Sequence, residues 1–206
     1  MPSGNLAIGF AAGGVDISKS VLRTGDGAIG HDPTLPVGFT GTLSTRSDDN
    51  TGTVTLTGGH GIATSDVVDI YWSGGVQYAV TVGTVSVNSM PFDSGVGDNL
   101  PAQDTAVVVT KQVTVNVSID GDALKVLAIC LESTESTGKG HIDMLSSAPA
   151  TIEEIDLVAN VPQVWDIEGG AGNVFTGNPI VTIKASNGSA TAAATLKIAG
   201  LQDTTP

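Results

Sequence analysis

Turn residues recur about every 8 to 12 positions along residues 41–110, and the intervals between them are rich in Val and Thr. The intervals read TVTLT, VVDIYW, VQYAVTV, TVSVNSM and TAVVVT. β-branched residues favour a pleated backbone, and Gly supplies the positive φ that tight turns require. This spacing is typical of a small barrel or sandwich. We therefore expect residues 41–110 to form a small β-barrel module.

The clearest predicted hairpin pairs VDIYW with QYAVTVG through the turn SGG. In an extended backbone, Val68, Ile70 and Trp72 share one side, and Asp69 and Tyr71 share the other. Because the first side is the more apolar, the alternation favours Trp72 in the core and Tyr71 on the surface. The reverse arrangement is the alternative.

Residues 111–206 are predicted to form an antiparallel β-sandwich. QVTVNVSI alternates apolar and polar residues, and the run ALKVLAICLE that follows is almost wholly apolar. Its Val and Ile content favours a central strand buried on both faces. TIEEIDLV fits either a strand or a short helix. Three more strands are expected after it, the last at residues 195–199.

Residues 1–40 are predicted to form an extended arm with one or two short strands. Repeated Gly interrupts any helical period, and Pro33 and Pro36 stop strand pairing. Leu6, Ile8 and Phe10 would face water if the arm stood alone. We therefore expect these three residues to bind the body of the same subunit or of a neighbour. The fold class is all-β: arm, barrel and sandwich.

The charge balance limits the possible partners. The formal net charge is −13, and no basic residue lies between Arg46 and Lys111. Such a surface repels phosphate backbones and anionic lipid, so neither nucleic acid nor a membrane surface is expected as a partner. The sequence shows neither a basic region before an apolar leader nor a run long enough to span a membrane. We expect a chain made in a cytoplasm.

The sequence shows no arrangement typical of an enzyme, and no catalytic, cofactor or metal residue is predicted. Cys130 is the single cysteine and lies in an apolar run, which raises a thiol pKa instead of activating it. His60 lies in the turn GGHG, where a local hydrogen-bonding role is favoured over catalysis. His31 and His141 are expected in separate turns.

Two acidic loops resemble fragments of calcium loops. They are Asp120-Gly121-Asp122 and the loop from Asp93 to Asp98, and neither has the complete spacing of a calcium-binding loop. Hairpin turns explain both, although calcium at a subunit contact is left open. A third feature is the aromatic group Tyr71, Trp72 and Tyr78, which could form a platform for stacking a sugar ring.

The stretch GGHGIATSDVVDIYWSGGVQYAVTV, within residues 53–88, resembles a small β-barrel of the ubiquitin-activating-enzyme FCCH type that recurs in tailed-bacteriophage structural proteins. Together with the arm and two acidic β modules, the chain is similar to phage capsid decoration (cement) proteins. This resemblance implies a homotrimer on the capsid surface of the virion, bound to the major capsid protein. The alternative is a tail-fibre or adhesin-like module that binds host glycans through Tyr71, Trp72 or Tyr78.

Overall fold

The computed structural model describes residues 5–12, 15–22, 27–95, 100–148, 150–166 and 174–202, with backbone pairing alone for residues 5–28. Every element in these ranges is a β-strand, which confirms the all-β class. The strands are β1 (Asn5–Ala12), β2 (Val15–Leu22), β3 (Gly27–His31), β4 (Thr34–Leu35), β5 (Phe39–Arg46), β6 (Thr51–Leu56), β7 (Val67–Trp72), β8 (Gly75–Val82), β9 (Ser89–Asp93), β10 (Ala106–Lys111), β11 (Val113–Ile119), β12 (Leu124–Ser133), β13 (Lys139–Ser146), β14 (Thr151–Val158), β15 (Gln163–Asp166), β16 (Ile180–Asn187) and β17 (Ala194–Gln202).

The chain divides into two compact units. The first unit comprises Met1–Leu35, Thr114–Ala185 and Ala192–Pro206, and we call it the sandwich unit. The second comprises Pro36–Val113 and Ser186–Thr191, and we call it the barrel unit. The predicted module of residues 41–110 lies inside the barrel unit. The contribution of residues 186–191 had no signal in the sequence.

The barrel unit contains a closed six-stranded antiparallel barrel in the order β10-β5-β6-β9-β8-β7. Alternate residues point inward and fill the interior, as expected when a small sheet closes on itself. The buried members of this core are Leu43, Val54, Leu56, Ile62, Val68, Ile70, Val80, Val82, Met90, Phe92, Leu100, Val107 and Val109. Closure leaves the barrel without a free strand edge.

The predicted strand TVSVNSM is wrong in position. Its middle is a tight turn, in which Ser86 and Ser89 pair with each other and Val87 is 80% exposed at the tip. The strand begins only at Ser89 and continues through Pro91 to Asp93. The Val and Thr pattern of this stretch is typical of a strand, but the polar residues Asn88 and Ser89 favour a turn.

The hairpin of β7 and β8 is confirmed, with Trp72 paired to Gly75 across the turn. Val68 and Ile70 are fully buried in the barrel, and Trp72 packs against this core while keeping part of its surface exposed. A bulge lies between Val68 and Ile70, where Ala79 on the opposite strand adopts a φ of 50°. Such bulges redirect the side chains beside them.

The sandwich unit is built from a four-stranded sheet, β11-β16-β13-β14, and a five-stranded sheet. The five-stranded sheet has the order β15-β12-β17-β3, with β4 also paired to β17. β11 alternates as predicted, with Val115, Val117 and Ile119 buried. TIEEIDLV is the strand β14, at the edge of its sheet, and its Glu153, Glu154 and Asp156 discourage pairing with other chains.

Strand β12 is the central apolar strand that the sequence predicts. It lies between β15 and β17, and every residue from Val126 to Leu131 is buried. Because successive residues of a strand point to opposite sides, both faces of β12 are covered.

The N-terminal arm is shorter than predicted. β3 and β4, within residues 27–35, pair with β17 and so belong to the five-stranded sheet. β1 and β2 form a separate antiparallel hairpin that shares a sheet with no other described strand. The backbone of β1 approaches that of β12. The predicted arm is therefore a hairpin of residues 5–22, beside the central strand of its own sandwich unit.

We predict that Gly121→Ala destabilises the sandwich unit by about 3 kcal/mol, because overpacking a closed site forces the backbone apart. A Cβ at Gly121 would lie 2.8 Å from the carbonyl oxygen of Asn178 and closer still to that of Phe175. Gly30→Ala is the matched control, since a Cβ there would meet nothing within 4 Å. Urea unfolding measures both variants, and equal midpoints would contradict the prediction.

Candidate functional site

A buried carboxylate is the main polar feature of the barrel unit. Asp69 on β7 has no exposed surface, and the bulge beside it lets its Oδ1 accept hydrogen bonds from the Ala79 N–H at 2.8 Å and the Gln112 amide at 2.9 Å. The Ser186 hydroxyl donates to the other oxygen, Oδ2. A buried charge is tolerated when it is surrounded by donors in this way.

Tyr71 extends this network. Its hydroxyl shares a hydrogen bond with the Ser186 hydroxyl, and its ring lies beside Gly188, where a Cβ would be 2.8 Å from the ring. Two further bonds hold the same segment: Thr110 donates to the Asn187 carbonyl at 2.8 Å, and the Gly38 N–H donates to the Ser189 carbonyl at 2.7 Å. Residues 186–191 therefore cover one outer face of the barrel.

This cover corrects the expectation that Tyr71 is exposed. The ring is 6% exposed, so it cannot present a face to a sugar. Both sides of β7 are buried, one by the barrel core and the other by residues 186–191. Packing of Trp72 against the core therefore does not require Tyr71 to be exposed. Tyr78 contacts the Tyr71 ring edge-to-face and is partly exposed, as is Trp72. Only these two members of the predicted platform keep accessible surface.

His60 has the local role that the sequence favoured. Its Nδ1 accepts the Ile62 N–H at 3.1 Å, its ring meets Phe39 edge-to-face, and the residue is 5% exposed. The bond fixes the loop between β6 and β7, which places Ile62 in the barrel core. His31 and His141 lie in strands β3 and β13, not in the turns expected for them.

The two acidic loops act as turns where the structure describes them. Asp120 accepts the Asp122 N–H at 3.0 Å, and Asp122 accepts the Gly177 N–H at 2.8 Å. Asp93 accepts the Gly95 N–H at 2.8 Å, and residues 96–99 of the second loop lie outside the described residues. In the described ranges, no three His, Cys, Asp or Glu side chains converge closely enough to hold a metal ion.

A lysine between two carboxylates lies on the five-stranded sheet. Lys197 Nζ is 3.1 Å from Asp32 and 3.9 Å from Glu132. The hydrogen bond that Lys197 donates to Asp32, together with the charges of both acids, raises the pKa of Lys197. Asp32 is 62% exposed, so this cluster is a surface ion pair.

The outer face of β12 is the second feature with functional potential. Val126, Ala128 and Cys130 alternate along the strand, are wholly buried, and form a small cluster of their own with Val164 of β15. Leu127, Ile129 and Leu131 point to the other side. Burial, and to a lesser degree the charge of Glu132, raises the pKa of the Cys130 thiol to about 11. We call the cluster Val126, Ala128, Cys130 and Val164 the β12 outer face.

The hairpin of β1 and β2 has one apolar face by register. Leu6 pairs with Val21, Ile8 with Lys19, and Phe10 with Ile17, and directly paired residues of an antiparallel ladder share a face. The opposite face carries Asn5, Ala7, Gly9, Ala11, Asp16, Ser18, Ser20 and Leu22. The three predicted binding residues are therefore brought onto a single face. Their side-chain contacts lie outside what the structure describes.

Comparison with family models, with curated proteins and with solved structures finds no match to this chain. None of the described residues belongs to a helix long and apolar enough to cross a membrane.

We predict that Asp69→Ala lowers the free energy of unfolding of the barrel unit by about 3 kcal/mol, because Ser186, Gln112 and the Ala79 N–H would lose their buried acceptor. Asp49→Ala is the control. Asp49 is 63% exposed and pairs with Arg46 at the surface, where such pairs contribute at most about 1 kcal/mol. Urea unfolding followed by tryptophan fluorescence measures both variants. A loss as small for Asp69→Ala as for Asp49→Ala would show that the network does not hold residues 186–191.

Acid should weaken the barrel unit through Asp66. The Lys111 ammonium, 2.8 Å away, and then the Ala63 N–H hold the pKa of this carboxyl below its ordinary value. A lowered pKa adds stability that is complete above the ordinary aspartate pKa of about 3.9 and is lost as pH falls through the folded-state pKa. Asp66→Asn should therefore lower stability at pH 7 and flatten its decline below pH about 4. Thermal melts between pH 2 and 7 check this, and an unchanged slope would contradict it.

Proposed function

We propose that this chain is a non-enzymatic structural protein that decorates and stabilises a phage capsid by binding across neighbouring subunits. The observation that carries the proposal is the hairpin of β1 and β2, which stands outside the hydrogen-bonded sheets of the body. An isolated two-stranded hairpin is marginally stable in water, so it requires a surface to bind. A hairpin that belongs to none of the larger sheets suits a protein that fastens subunits together.

The body supports the same role. The barrel has no free edge, and the edge strand β14 carries acidic residues, so neither of these two parts of the body favours uncontrolled strand pairing. A net charge of −13 keeps identical copies soluble at high concentration. In this proposal the major capsid protein is the partner, the protein is a homotrimer on the virion surface, and the hairpin is the main contact.

The second candidate, a tail-fibre or adhesin-like module, keeps less support. Tyr71 is buried and cannot take part in stacking a sugar ring. The Trp72 indole packs over Gly75, where a Cβ would lie 2.9 Å from the indole. Tyr78 is its best remaining stacking residue. Binding to a glycan array that disappears with Tyr78→Ala, while the fold is retained, would favour this function over capsid decoration.

Capsid binding is tested by co-sedimentation of the purified protein with capsids that lack it. We expect saturable binding of many copies per capsid, and at least a tenfold loss of affinity for Phe10→Asp, because a charge on the apolar face prevents its burial. Ala11→Asp is the matched control, since it places the same charge on the opposite face of the hairpin. That variant should bind like the native chain.

Two results would contradict the proposal. One is the absence of saturable binding by the native chain. The other is equal binding by Phe10→Asp and Ala11→Asp, which would exclude the hairpin as the main contact. Circular dichroism on each variant establishes that the body is folded before binding is measured.

A further inference from the structure

Residues 186–191, which we call the strap, lie over one outer face of the barrel and are held there by hydrogen bonds. Their sequence, SNGSAT, contains no large apolar side chain, and no strap residue belongs to the described core of the barrel. A segment held in this way can open while the core stays folded, because local opening breaks only the contacts of the segment itself. We therefore expect the strap to open and close on the folded barrel.

Asn187 forms hydrogen bonds both to the barrel and within the strap. Its side-chain Nδ2 donates to the Pro36 carbonyl at 3.3 Å, and its Oδ1 accepts the Ser189 N–H at 3.2 Å. Its main-chain carbonyl accepts the Thr110 hydroxyl at 2.8 Å. The residue is 1% exposed. The side-chain amide of Asn187 is therefore part of what keeps the strap closed.

The residue after Asn187 must be glycine because of the Tyr71 ring. A Cβ at Gly188 would lie 2.8 Å from that ring, so a residue with a side chain does not fit while the ring is in place. Asn187-Gly188 is the only Asn-Gly pair in the sequence. Asparagine is chemically labile, and attack on its side chain by the next peptide nitrogen is easiest before glycine, which adds no side chain and restricts the backbone least. Packing thus places the most reactive pair for this cyclisation inside the strap.

Local hydrogen bonding polarises the side-chain carbonyl of Asn187. Negative charge develops on Oδ1 when a nucleophile attacks Cγ, and the Ser189 N–H donates to that oxygen. Because this bond joins residues two apart in sequence, it does not require the barrel and can persist in the open strap. In the closed strap, burial limits the access of water, and the bonds to Pro36 and Thr110 fix the residue. The site is therefore reactive when the strap is open and protected when it is closed.

We propose that Asn187 is a modification site, where the open strap converts asparagine to aspartate or isoaspartate through a cyclic imide, and that this conversion prevents the strap from closing again. The Gly188 nitrogen loses its proton to water and forms a bond to Cγ of Asn187. The Cγ–Nδ2 bond then breaks, and the amide nitrogen leaves as ammonia after taking up a proton. Water adds to either carbonyl carbon of the imide and opens the ring. The net reaction consumes one water molecule and releases one ammonia molecule.

Neither product fits the closed strap. A carboxylate at position 187 has no proton to donate to the Pro36 carbonyl, and it would be buried as a charge. The preceding residue, Ser186, already donates to the Asp69 carboxylate, so the strap would carry a second negative charge close to the first. Isoaspartate also lengthens the main chain of the strap by one carbon. Both products therefore favour the open strap, in which Tyr71 loses its cover.

The first experiment measures the rate of modification in the folded full chain at mildly alkaline pH, which favours proton loss from the peptide nitrogen. Trypsin releases residues 185–197, in which Asn187 is the only asparagine, and mass spectrometry gives the modified fraction. Thr110→Val removes one strap bond. Val54→Ala, in the barrel core, is the matched control, since it lowers stability without removing a strap bond. We expect Thr110→Val to raise the rate about fivefold, as loss of one hydrogen bond increases the open population, and Val54→Ala to change it less than about twofold.

The second experiment measures release of the strap at the two tyrosines of the chain. Tyr71 is 6% exposed beneath the strap, whereas Tyr78 is partly exposed. Nitration with tetranitromethane is compared between the native chain and Asn187→Asp, which reproduces one product of the reaction. We expect Tyr71 to react about tenfold faster in the variant, because it is no longer covered, and Tyr78 to react alike in both. Circular dichroism verifies that each protein is folded.

Three results would overturn the proposal. An unmodified Asn187 in the folded chain, under conditions that modify it in the urea-unfolded chain, would show that the strap does not open. A rate for Thr110→Val no higher than that for Val54→Ala would show that the reaction does not proceed through the open strap. Tyr71 nitration as slow in Asn187→Asp as in the native chain would show that the product keeps the strap closed.

Discussion

Burial of β12 on both faces is the constraint on which the sandwich unit depends. In a two-sheet sandwich, each sheet has one inner face, and its outer face normally meets solvent and carries polar residues. β12 has apolar residues on both faces, and Val126, Ala128 and Cys130 would otherwise expose an apolar strip. A third layer must therefore cover the five-stranded sheet at β12, and the N-terminal hairpin is positioned to supply it.

In the barrel unit, strand β7 is also buried on both sides, and hydrogen bonds stabilise its outward face. The outward residues of β7 include Asp69 and Tyr71, and both are buried because residues 186–191 lie over them. Apolar packing alone would leave the carboxylate of Asp69 without compensation. Hydrogen bonds from Ser186 and Gln112 provide it, and Gly188 leaves room for the Tyr71 ring. Such a network requires one specific arrangement of the segment, whereas a hydrophobic contact would tolerate several.

Alternation and turn chemistry predicted much of the fold. β7, β8, β11 and β12 were placed from period-two patterns, and the aspartate turns and the role of His60 followed from local hydrogen bonding. The wrong predictions concern residues whose environment is set by segments distant in the sequence. Nothing near Tyr71 in sequence indicates that a segment more than a hundred residues later will cover it. Likewise, residues 27–35 are rich in Gly and Pro, and they become strands only because β17 offers an edge.

The run ALKVLAICLE carries a signal about its surroundings as well as about its own strand. A run apolar on both faces requires two covering layers, and a sandwich accounts for one. The apolar alternation of Leu6, Ile8 and Phe10 is the obvious candidate for the other layer, since those residues also lacked a partner.

Coverage of the β12 outer face by the hairpin is tested most directly by the rate at which 5,5′-dithiobis(2-nitrobenzoic acid) reacts with Cys130 in the folded full chain. Ile8→Asp and Ala7→Asp are compared, because they place the same charge on opposite faces of the hairpin. If the hairpin covers the β12 outer face, Ile8→Asp raises the rate at least tenfold, whereas Ala7→Asp reacts as slowly as the native chain. Equal rates in the two variants would contradict the account.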